Sequence, residues 1–74
     1  MHNLINKINV EIINIKTIKY MFSLKYKNNY HSSYNNLICK LESLTNSDNK
    51  EYVSYELEKI IEQRKQLVNK ELNN

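Results

Sequence analysis

The clearest pattern along the chain lies in its last third. Val53, Leu57, Ile60, Ile61, Leu67, Val68 and Leu72 recur at steps of three and four, one face of a helix with 3.6 residues per turn. Asp48 followed three residues later by Glu51 has the spacing of a capping box, with Asp in place of the usual Ser or Thr. The spacing predicts a helix over about 49–72. A shorter helix is predicted over about 34–44, with Leu37, Ile38, Leu41 and Leu44 as its stripe and Ser32 or Ser33 as its cap. The polar cluster Thr45-Asn46-Ser47-Asp48 between them is short enough that the two helices must double back as an antiparallel hairpin.

Residues 1–27 carry two periodicities at once. As a helix over about 3–27, Met1, Ile5, Ile8, Ile12, Ile15, Phe22 and Tyr26 fall on one seam, broken by Lys19. As strands, Ile18, Tyr20, Phe22, Leu24 and Tyr26 alternate with polar neighbours, and so do Ile8, Val10 and Ile12. A hairpin would have to turn near Asn14-Ile15-Lys16-Thr17, which lacks Asn-Gly or Asp-Gly, and an isolated two-stranded hairpin is marginal. The favoured expectation is therefore an all-α, small three-helix domain. The alternative is an α+β domain in which an N-terminal β-hairpin precedes two helices.

Composition sharpens this picture. In 74 residues there is no Gly, Pro, Trp or Ala, against 13 Asn, 10 Lys and 9 Ile. These are residues that AT-rich codons favour, so the density of Ile argues less for strands than it would elsewhere. Without Gly, left-handed backbone positions must fall to Asn or Asp, and the phosphate-cradling loops of P-loop and dinucleotide-binding enzymes cannot be built. A chain of this length makes one domain, burying only about 60% of its unfolded surface. Pairing of two copies, with the last helix as the dimerising element, would add to so small a core.

Charge is unevenly spread. Residues 1–40 hold six Lys against Glu11 alone, while residues 41–74 hold five basic and seven acidic side chains. The single Cys, Cys39, excludes an intrachain disulfide and fits a reducing compartment. The start is too interrupted by Asn and Lys for a secretory signal, and no run approaches the ~20 apolar residues that cross a bilayer. The expectation is a cytoplasmic protein with no membrane partner.

Chemistry-bearing residues are sparse. His31 beside Ser32 and Ser33 has no acidic neighbour to orient it, and His2 and His31 have no zinc-site spacing. No cofactor, metal or catalytic group is called for. The acid-free stretch, in contrast, interleaves cations with aromatic rings: Lys16, Lys19, Tyr20, Lys25, Tyr26, Lys27, Tyr30, His31, Tyr34 and Lys40. Ammonium groups can neutralise phosphates and tyrosines can stack on unpaired bases. Arg64 is the only arginine, so guanine-specific reading of a duplex is not indicated. It sits in the apolar stripe of the last helix, where it either snorkels past the core or meets an acidic group on another chain.

In size and AT-rich composition the chain resembles the small proteins of phages and mobile elements, antirestriction and anti-CRISPR inhibitors among them. The resemblance is one of type and identifies no residue. Many such inhibitors are acidic mimics of DNA, and this basic sequence departs from that pattern. The resemblance implies a non-catalytic interaction protein that blocks a host protein or ribonucleoprotein complex, such as a nuclease. The alternative is a small DNA- or RNA-binding regulator using residues 16–40.

Overall fold

The computed structural model describes residues 2–25 and 30–73. They form three helices, α1 (His2–Lys25), α2 (His31–Leu44) and α3 (Lys50–Leu72), with no strand among the described residues. The β-hairpin alternative for the N-terminal segment is thereby removed. A helix stacks Leu4, Ile8 and Ile15 on one face, all buried, whereas strands there would have found no further strand to pair with.

Two helix starts differ from the sequence reading. α2 begins at His31, three residues early, so that Ser32 and Ser33 lie inside its first turn; Tyr30 is the N-cap and makes no side-chain cap bond. The half-buried Tyr30 and fully buried Tyr34 set this turn, and the Tyr34 N–H donates to the Tyr30 carbonyl at 3.0 Å. In α3 the cap is Asn49 and not Asp48: the Asn49 Oδ1 accepts from the Tyr52 N–H at 3.1 Å, and the Ser47 hydroxyl oxygen accepts from the Asn49 N–H at 3.2 Å. Such a cap stabilises a helix by about 1 kcal/mol. Between α2 and α3 no described residue takes a positive φ. The chain turns instead by tightening, with the N–H groups of Thr45, Asn46 and Ser47 donating three residues back to Glu42, Ser43 and Leu44. A glycine-free helix end is thus closed without any left-handed residue.

The helices run up, down and up along a body of 38 × 17 × 17 Å, whose long axis matches the ~36 Å of a 24-residue helix. Their apolar seams meet in one core: Leu4, Ile8 and Ile15 from α1, Tyr34, Leu37, Ile38, Leu41 and Leu44 from α2, and Val53, Leu57 and Ile60 from α3. Ile12, Ile18, Ile61 and Leu67 pack against its edges. Each fully buried aliphatic side chain contributes roughly 1.5–3 kcal/mol. Leu72, expected in the stripe of α3, is exposed, and Glu71 is buried in its place.

Midway along the seams of α1 and α3 a charged residue of each finds the other. Glu11, 3% exposed, accepts from Arg64 Nε at 2.8 Å and from Arg64 Nη2 at 3.1 Å. Arg64 therefore neither snorkels free nor waits for another chain; its partner is supplied from within. Hydrogen bonding to Glu11 raises the Arg64 pKa above its ordinary value, against a desolvation that lowers it. The pair locks α1 and α3 in parallel register, because sliding either helix by a turn would strand a carboxylate among aliphatic side chains.

Replacing Arg64 by Met leaves the Glu11 charge buried and should cost roughly 2–4 kcal/mol, since the guanidinium still reaches solvent and the pair is not wholly dry. Adding Glu11→Leu should restore most of that stability. Urea unfolding of the two variants checks this; equal loss in the single and double variants would contradict it.

Candidate polyanion-binding surface

At the upper end of the molecule the last turns of α1 face the first turn of α2. Lys16, Lys19, Tyr20 and Ser23 rise along one side of α1, and His31 opens α2 opposite them; together they line an open groove of about 340 Å³. Helical spacing of three and four brings 16, 19, 20 and 23 onto this side, and the antiparallel turn-back of α2 brings His31 to them. Lys19 bridges the two helices, its Nζ donating to Asn35 Oδ1 in α2. The Ser23 hydroxyl donates to the Tyr20 carbonyl at 2.7 Å. Tyr20 is 65% exposed, so its ring face is open to a flat ligand.

No acidic side chain lines the groove. The sole carboxylate of α1, Glu11, is turned inward onto Arg64. α2 adds to the positive field, for it starts with no side-chain cap and no acidic residue in its first turn. Chemically the groove can attract and hold phosphates or carboxylates. No group of three or more His, Cys, Asp or Glu residues that could hold a metal ion gathers among the described residues.

The remaining residues named from the sequence scatter. Lys25 ends α1, while Tyr26 and Lys27 lie outside the described residues. Lys40 is exposed on α2 and faces away from the groove, lining with Lys70, Asn36, Gln63 and Gln66 a second furrow between α2 and α3. Arg64 is on the α1–α3 side, committed to Glu11. Tyr30 is half buried at the foot of α2. Tyr34 is corrected outright: with 0% exposure it is a core residue, unavailable for base stacking. Sequence reasoning overlooked Ser23, which carried no charge or ring to mark it, and Lys70, whose neighbourhood to Lys40 depends on the α2–α3 hairpin.

Tyr34 has a consequence of its own. Its phenol is buried with no hydrogen-bond partner, beside the buried carboxylate of Glu71. Burial first, then the charge of Glu71, then Tyr30, push its pKa from 10.0 up to about 12.

The chain matches no protein-family model, no curated protein and no solved structure. No helix of the described residues is long and apolar enough to cross a membrane.

Because burial and the Glu71 charge penalise the phenolate, ionisation of Tyr34 costs no stability below pH 10, the unfolded value, and stability falls as pH rises from there through about 12. Tyr34→Phe should flatten this alkaline loss and leave stability at pH 7 unchanged or higher, since it removes a buried hydroxyl without a partner. Thermal melts between pH 8 and 12 decide the matter; an identical alkaline slope in both proteins would refute it.

Proposed function

We propose that this protein is a non-catalytic interaction module that binds a negatively charged surface of a larger macromolecular complex and blocks it by covering it. One observation carries this reading: the groove formed by Lys16, Lys19, Tyr20, Ser23 and His31, cationic, open and free of acidic side chains. A rigid helical body presents it, and the ring of Tyr20 provides apolar contact beside the charges. The target suits the class of small phage and mobile-element inhibitors, for which a host nuclease complex of the kind anti-CRISPR proteins block is the natural object. A cytoplasmic setting belongs to the same proposal, and Cys39, exposed and unpaired with any other cysteine, is compatible with it.

The second reading is a DNA- or RNA-binding regulator acting through the same groove. It is favoured by the exposed Tyr20 ring next to Lys16, the pairing of stacking face and cation that single strands use. Phosphate neutralisation by the two groove lysines would make log K fall against log salt with a slope of about −1.4 for a single strand and about −1.8 for a duplex.

Fluorescence polarisation with single-stranded RNA, single-stranded DNA and duplex DNA, at about 50 and about 200 mM salt, separates the two. Salt-steep binding of a single strand, weakened roughly tenfold by Lys16→Glu, supports the regulator. Absence of binding at low salt removes it. The blocking module instead expects a protein complex from the native host to be retained after nuclease treatment and lost with Lys16→Glu and His31→Glu together. Retention unaffected by that double change would discard the groove as the contact surface.

A further inference from the structure

The outer face of α1, opposite the core, is apolar where a solvated helix face should be charged. Val10, Ile13, Tyr20, Met21 and Leu24 are each more than half exposed. With Thr17 they follow the sequence 10, 13, 17, 20, 24, the alternating three- and four-residue step of a coiled-coil seam, and Met21 widens it. His2, Asn3, Asn6, Asn9 and Asn14 complete the sector. At 100° per residue Lys7 and Lys16 bound it about 180° apart, and no Lys, Arg, Asp or Glu falls between them. The exposed side of α3 is unlike it: Tyr52 and Tyr55 stand there among Glu51, Glu58, Lys59, Glu62 and Lys65.

We infer that this face of α1 is covered by the same face of a second copy of the chain, forming a two-fold dimer through α1 and not through the last helix. Three features select a second copy over a charged partner or a nucleic acid. The sector carries no charge for either to complement. Its seam spacing is self-complementary, as an isologous interface requires. The five exposed apolar side chains offer on the order of 500 Å² per copy, about a tenth of the 5246 Å² surface, so a facing pair removes roughly 1,000 Å² from water, the lower range of specific interfaces.

Lys16 sets the direction. Asn9, Lys16 and Ser23 flank the seam on one side, and Lys7, Asn14 and Met21 on the other. An antiparallel pair brings like flanks together and places Lys16 against Lys16. A parallel pair sets Lys16 of one copy beside Met21 of the other, with no like-charge contact. The parallel dimer also carries both cationic grooves at the same end, so that one extended polyanion can span them and gain from bivalency.

Sedimentation equilibrium of the purified full chain at tens of micromolar is expected to give twice the 8.9 kDa chain mass. Ile13→Glu is expected to return the monomer mass with helicity by circular dichroism unchanged. Thr17→Glu, at an exposed position whose replacement leaves the core untouched, serves as the second variant should Ile13→Glu fold poorly. In a Cys39→Ser background, Val10→Cys and, separately, Leu24→Cys are expected to cross-link each to itself on oxidation. A monomeric wild-type chain, or a dimer that survives both glutamate substitutions, overturns the inference. A dimer in which neither cysteine variant cross-links to itself overturns the parallel arrangement. Because Lys16→Glu lies outside the seam, loss of groove binding in that variant with the dimer intact keeps the two surfaces distinguishable.

Discussion

A single charged contact orders this molecule. Glu11 and Arg64 sit at seam positions of α1 and α3, where aliphatic residues would pack equally well, and each is tolerable there only because the other is present. Apolar seams with the same spacing can slide past one another by a turn at modest cost; a seam with one carboxylate cannot. The pair therefore selects one register of α1 against α3 from several.

The same contact divides the surface of α1 by function. Because its only acidic residue is spent inside, what α1 shows to solvent is cationic, neutral polar or apolar. Lys16 and Lys19 lie on the flank toward α2, Lys7 on the flank toward α3, and the uncharged seam lies outward. Tyr20 stands on the border between the α2 flank and the seam and belongs to both.

The buried polar groups at the other end of the seams play a different part. Tyr34 and Glu71 bring an unsatisfied hydroxyl and a carboxylate oxygen into the core without the reciprocal bonds that Glu11 and Arg64 make.

α2 and α3 were legible in the sequence because burial of large aliphatic side chains leaves a helical period, whereas the first segment carried a strand period as well and only the structure removed the hairpin. Leu37, Leu41, Val53, Leu57 and Ile60 could be placed in the core from spacing alone, and the positive charge of the first forty residues from simple counting. Of the seam read for α1, Ile8 and Ile15 are buried and Ile12 packs on the core, but Leu4 and Glu11 could not be placed inside, since Val10, Ile13 and Leu24 are as apolar as the residues that pack. Tyr34 was named for base stacking and is core, and Arg64, read as snorkelling or as a partner contact, is answered by Glu11. Local periodicity, a property of neighbours along the chain, is determined by sequence; the pairing of residues 53 positions apart, which decides which side chains remain for a partner, exists only once the helices have packed.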